Sequence, residues 1–149
     1  MTRRHASTRL LLAGTCLALT AGCSVPGGYT VKTLKEDPAA SWTYPDSRDV
    51  TTARTDGTTK NFFRRGTPAS VSVTATTTAP PTDVATYYSR TLTAAGWTQT
   101  SDDPHDTNVA GRTMHDIWWT KAKLTYGLTV WADPTTNTTH YVTTLTGVI

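Results

Sequence analysis

Three carboxylates and an imidazole fall within five positions of the chain: Asp102, Asp103, His105 and Asp106, in the stretch Ser101-Asp102-Asp103-Pro104-His105-Asp106-Thr107-Asn108. Hard oxygen donors at that density can take calcium, and His105 with one Asp can contribute to a zinc site. The spacing departs from a calcium loop, which needs Gly at its sixth position and Glu at its twelfth. Asp, Pro and Asn in close succession also make a solvated turn with no ion, and that turn is the expectation here. These four residues are weak metal candidates, and no cofactor is expected.

Other reactive side chains are scattered. His115 and Asp116 are neighbours in a strand-like segment, so their side chains point to opposite faces and cannot form a dyad with each other. His115 then reads as a packed histidine at the edge of a core. No serine sits in a G-x-S-x-G nucleophile elbow. Glu36 is the chain's one glutamate, so paired-carboxylate hydrolysis would need two Asp residues from different loops. Phe62-Phe63-Arg64-Arg65 joins aromatics to two positive charges and could touch anionic headgroups, although an exposed loop explains it. Phosphate loops, dinucleotide fingerprints and internal repeats are absent. No catalytic residue is assigned on these grounds.

The cysteines say more. Both lie at the start of the chain, Cys16 and Cys23. Residues 2–9 are basic, residues 10–21 (LLLAGTCLALTA) are apolar, and Gly22 and Cys23 follow. A basic head, a short apolar run and small residues before a cut make a secretory signal, too short to span a bilayer comfortably. The ending Leu19-Thr20-Ala21-Gly22-Cys23 resembles the lipobox of bacterial lipoproteins, in which the cysteine is acylated and becomes the first residue after cleavage. That pattern usually has Leu three places before the cysteine; here Thr20 stands there and Leu19 one place earlier. Cys16 follows Thr15 and fits less well. The resemblance implies a signal peptide over 1–22 and a lipidated Cys23. It places the protein on the outer side of the cell membrane, held by acyl chains. Residues after Cys23 then contain no thiol, so disulfides and Cys-containing zinc sites are excluded there.

Removing the leader also takes away Arg3, Arg4 and Arg9. The 14 basic residues fall to 11, against 11 acidic ones. A near-neutral chain is not a nucleic-acid binder by charge. About 100–125 remaining residues support one domain.

Positioning elements follow from pattern. Residues 24–41 mix Pro, Gly, Ser and charges without apolar periodicity and read as a flexible tether of about 20–25 Å reach. The domain is expected over 42–149. The chain holds 35 threonines, a β-branched residue suited to strands with a solvated face. Strands are expected at 49–54, 69–78, 97–100, 112–120, 123–132 and 138–146. Between them, Pro80-Pro81 precedes a helix over 84–95, capped by Thr82 or Asp83 and ended by Gly96. Val84, Tyr87, Tyr88, Thr91, Leu92 and Ala95 share one of its faces.

The run Asp83-Val84-Ala85-Thr86-Tyr87-Tyr88, with Leu92 and Ala95-Gly96-Trp97, resembles the helix-to-strand junction of small actinobacterial lipoproteins. Their strands begin near a Tyr-Pro dipeptide, as Tyr44-Pro45 does here. The likeness covers residues 44–100 and implies a compact α+β domain. Most such proteins have no assigned activity, so it transfers no functional residue.

A hairpin of 112–120 with 123–132 about Lys121-Ala122 would set Trp119 opposite Leu124 and Ile117 opposite Tyr126. Leu124, Tyr126, Leu128 and Val130 alternate strictly, which makes theirs the core face. Arg112, Met114, Trp118 and Trp131 then lie on the other, threonine-rich face. Aromatics there either pack under the segment around Trp42, which is the expectation, or form a binding face for a partner or small ligand. A one-residue slip would exchange the faces.

The fold expected is therefore α+β: an antiparallel sheet of four to six strands with one amphipathic helix on a face. The expected function is a membrane-anchored, non-catalytic binding or envelope-accessory module. The alternatives are a small metal-dependent or Asp/His hydrolase using 102–106 and His115, and an inhibitor or exclusion lipoprotein that docks an envelope protein.

Overall fold

The computed structural model describes residues 30–58, 66–107 and 112–147. Cys16, Cys23 and residues 62–65 lie outside them. The described chain runs α1 (Val31–Lys35), a 3₁₀ turn (Pro38–Ser41), β1 (Arg48–Thr55), β2 (Ser70–Thr77), α2 (Pro81–Ala94), β3 (Thr98–Thr107), β4 (Arg112–Lys121), β5 (Leu124–Asp133) and β6 (Thr138–Gly147). The strands form one antiparallel sheet in the order β1-β2-β6-β5-β4-β3. With α2 packed on one face, this is the expected α+β architecture at six strands. No helix among the described residues is long and apolar enough to cross a membrane.

Helix α2 starts earlier than its polar residues suggested. Pro81 stands at its first position, where a missing N–H costs nothing, and no side chain caps it. Its C-terminal end is as expected. Gly96 takes φ +82°, its N–H reaches Thr93 O at 3.0 Å, and the Trp97 N–H reaches Leu92 O at 3.0 Å. That bond pair is a Schellman closure, and the buried side chains of Trp97 and Leu92 complete it. Val84, Ala85, Tyr88 and Leu92 face the sheet.

The core is aromatic. Trp119, Tyr88, Tyr126 and Tyr141 are its largest fully buried side chains. Tyr88 lies 5.8 Å from Tyr141 and 6.2 Å from Tyr126, ring centre to centre, and Trp97 and Trp119 flank Tyr126 at 5.8 and 6.3 Å. Tilted and edge-on geometries of this kind suit the ring quadrupoles. The hydroxyls anchor the incoming chain: Tyr88 donates to Trp42 O at 3.1 Å, and Tyr141 accepts from Tyr44 N at 3.0 Å and pairs with Ser47 Oγ at 2.6 Å.

Three expectations are corrected. Residues 30–41 are not a loose tether. Thr30 and Thr33 form a reciprocal cap on α1, Asp37 caps the 3₁₀ turn, and Leu34, Ala39 and Ala40 are buried in the core. Residues 101–107 are not a turn; they extend β3 along β4, with Pro104 opposite His115. β3 is an edge strand, where proline is tolerated. The third correction is the hairpin register. Lys121 pairs with Leu124 and Trp119 with Tyr126 around Ala122-Lys123, two residues from the expected pairing. Lys121 stays in the strand because its ammonium donates to Ala95 O at the C-terminal end of α2, at 2.9 Å, above the Trp97 ring. An even shift leaves every side chain on its expected face.

Two outcomes follow. Leu34→Ala should lower stability by about 2–5 kcal/mol in urea unfolding, as for any fully buried leucine; a tether would tolerate it. Burial raises the pKa of Tyr88 and of Tyr126 well above the ordinary phenol value. Below about pH 10 both rings are protonated whether folded or unfolded, and they add no pH dependence. Above it the unfolded chain ionises first, so stability should fall by about 1.4 kcal/mol per pH unit for each ring. Tyr88→Phe should flatten that alkaline slope, read from urea unfolding at a series of pH values above 10.

Candidate functional site

Residues facing each other across a sheet share a face, and the pairings separate two surfaces. On the helix side, the second half of β1 and the first half of β2, which pair with each other, are not covered by α2. The N-terminal segment comes over them, leaving an open cleft of about 310 Å³ lined by Lys35, Ala40, Ser41, Thr43, Val50, Thr52, Arg54, Val71 and Val73. Val71 and Val73 are buried and form its apolar floor, while Val50, at 48% exposure, stands at its wall. Arg54 comes from β1 and Lys35 from the end of α1, so two cations belong to one small, partly apolar cleft. Its volume is at the low end for small-molecule pockets. None of these residues stood out in the sequence, because they come from three separate segments. The nearest signal was the alternation Val50, Thr52, Arg54, which puts one apolar and one charged side chain on the same side of an edge strand.

A second groove, of about 370 Å³, lies between Tyr44-Pro45 and the outer side of α2, with Asp83, Thr86, Tyr87, Arg90 and Thr91. Its one acid and one base offset each other, and Tyr87 packs edge-on against Tyr44 at 5.3 Å.

The opposite face of the sheet carries the expected aromatics. All described helices pack on the core side, and Trp42 joins them there; it does not cover Trp118 and Trp131. Trp118 is opposite Gly127, and Trp131 is opposite both Met114 and His140. A Cβ at Gly127 would come within 2.6–2.9 Å of three atoms of the Trp118 six-membered ring. The indole thus occupies the space over the glycine and leaves 40% of the residue exposed. Trp131 stacks on His140 at 5.5 Å with 9° between the planes. Asp116, opposite Thr129, lies between the two tryptophan rows.

The described metal candidates, Asp102 and Asp103, do not converge. Asp102 and Asp103 alternate along β3, and no group of three or more potential ligands occurs among the described residues. The side chains of His105, Asp106 and Arg112 lie outside the described ones. What the structure does bring together is Asp102 and His115: the imidazole Nε2 meets Asp102 Oδ1, and Gln99 Nε2 donates to Asp102 Oδ2 at 3.3 Å. The register places them on the core side, near the uncovered end of the β3–β4 pair. A carboxylate accepting from Nε2–H leaves Nδ1 as the lone-pair nitrogen of the neutral ring. Both groups are partly exposed, 28% for His115 and 51% for Asp102, so water shares the contact.

A six-stranded antiparallel sheet holding one long helix across a face defines an α+β domain with its openings at the corners that helix leaves. Residues 50–138, more than half the chain, match the START domain-like family, and the chain belongs to that family. The match runs from β1 to the start of β6 and so includes the β1 and β2 walls of the cleft and the paired Trp118 and Trp131 strands. Neither curated proteins nor solved structures provide a match.

The Trp118–Gly127 contact gives a direct check on the aromatic face. Gly127→Ala should lower stability by about 1–3 kcal/mol, because the new methyl displaces a packed ring. The same change in a Trp118→Ala background should cost much less. That non-additivity, read from a double-mutant cycle of urea unfolding, would vanish if the ring lay elsewhere.

Proposed function

We propose that this protein is a membrane-tethered, extracytoplasmic binding module that holds a small anionic amphiphile without transforming it. The observation that carries the reading is the cleft under α1. An apolar floor of Val71 and Val73 continues the core, and Lys35 and Arg54 supply positive charge at the same opening. A ligand with an apolar body and a carboxylate or phosphate head would satisfy both halves. Membership of a START domain-like family supports ligand binding as the role of the domain.

The lipobox-like Leu19-Thr20-Ala21-Gly22-Cys23 supports the anchor. Two acyl chains on Cys23 would hold the protein stably at a membrane surface, where one gives only marginal attachment. On that placement the cleft faces an environment rich in amphiphiles, and the likeness to small actinobacterial lipoproteins fits the same location. Asp102 and His115 support the alternative of an Asp/His hydrolase, since Nδ1 of an oriented imidazole can accept a proton.

Dodecanoate titrated into the purified full chain tests the binding reading. Saturable heat is expected, weakened about tenfold or more by Arg54→Ala or Lys35→Ala, as for the loss of a charge-assisted contact. His115→Ala should leave it unchanged. Absence of binding by the wild type at millimolar dodecanoate would overturn the reading, and turnover of an ester abolished by His115→Ala would replace it with the hydrolase. Mass spectrometry of the native protein should find diacylated Cys23 at the N-terminus; an unmodified Cys23 would remove the anchor.

A further inference from the structure

We infer that the helix-free face of the sheet is a second binding surface, and that its ligand is a neutral oligosaccharide laid across Trp118 and Trp131. The sequence puts hydroxyls where a protein interface would put aliphatic side chains. Every position of β2 on this face, from Ser70 to Thr76, is Ser or Thr, and Ser72 and Thr144 already join their hydroxyls across strands at 3.0 Å. Two indoles stand on this face, with Val142, Met114 and His140 among the hydroxyl-bearing positions. Trp118 has one ring face against the Gly127 backbone, which leaves the other available. Trp131 is stacked on His140 and fixed in orientation. Its Nε1–H is buried, so the ring offers its face and not its N–H to the surface.

Chemistry selects the occupant. Sugar rings present C–H groups to the negative face of an indole and hydroxyls to everything around it. From Gly127, which underlies Trp118, to Trp131 is four residues of β5, about 13 Å, so the two platforms address different units of one chain. The hydroxyls argue for a neutral glycan: Ser70, Ser72, Thr74 and Thr76 offer uncharged donors and acceptors on the same face as the platforms. Area argues against a second copy of this chain. The described large apolar side chains exposed in the structure are Val50, at the cleft, and Trp118, whereas a stable dimer needs about 800 Å² per partner around a packed apolar centre. This surface is on the opposite side of the sheet from the cleft, and its function is independent of the cleft's.

The test uses the purified full chain in a zwitterionic detergent, with neutral hexasaccharides of glucose, mannose and N-acetylglucosamine as probes. Binding is read by tryptophan fluorescence and calorimetry. At least one hexasaccharide should bind, and its monosaccharide should bind about tenfold more weakly or worse, since it spans one platform. Trp118→Ala and Trp131→Ala should each weaken binding about tenfold. Trp118→Tyr, which keeps an aromatic face, should retain most of it and guards against misfolding as the cause. Arg54→Ala should leave it unchanged. No binding at millimolar hexasaccharide would overturn the inference, as would binding that survives both alanine variants. Binding lost in Arg54→Ala would assign the sugar to the cleft instead. A concentration-dependent dimer abolished by Trp118→Ala would show that a second copy covers the face.

Discussion

One helix has to cover one face of a six-stranded sheet, and it is too short to do so. Fourteen residues of α2 make about 21 Å, while six strands are about 24 Å across and their ten-residue members about 33 Å long. The connectivity also sets the direction of α2. It leaves the end of β2, next to one border, and delivers the chain to β3, which is the other border. A diagonal is the result, with an uncovered corner on each side of it. At the first corner the N-terminal segment closes over β1 and β2, and Leu34, Ala39 and Ala40 join the core. The imperfect closure is the cleft. At the other corner no described helix arrives, and Asp102, Gln99 and His115 satisfy one another in partial contact with water.

The same shortage explains why the core is built from rings. Aromatic side chains fill more volume per position than aliphatic ones, and Tyr88 on the helix reaches Tyr126 and Tyr141 on two adjacent strands. Their hydroxyls do separate work. The Tyr141 oxygen holds Tyr44 and Ser47, and the Tyr88 oxygen holds Trp42, so the chain entering β1 is fastened by polar atoms at the margin of an apolar cluster. Breaking that fastening would open the cleft at one wall.

Much of this could be read from residue order. Alternation in 124–130 assigned the faces correctly even though the hairpin register was two residues off, because side-chain direction repeats every two residues. Gly96 marked the end of α2 because only a residue tolerant of positive φ closes a helix that way. The errors share a cause, which is that contacts distant in sequence overrode local signals. Lys121 looked like a turn residue until the carbonyl of Ala95 is placed beside it. Asp102, Asp103 and Pro104 looked like a loop, but an edge strand accommodates them. Helix α1 has only five residues and two buried apolar side chains, too little pattern to stand out from a linker. The tryptophan face was visible in the sequence. The cleft was not, since Lys35, Arg54 and Val73 meet only when three segments fold together.

Both borders of the sheet are irregular. β1 bulges between Arg48 and Thr51, where Asp49 takes φ 52°, and β3 bulges between Gln99 and Ser101 and carries Pro104. A straight border is a template on which another sheet can grow, and bulges, charges and proline spoil it. A fold with neither rim available for templated polymerisation tolerates a high local concentration without seeding fibrils.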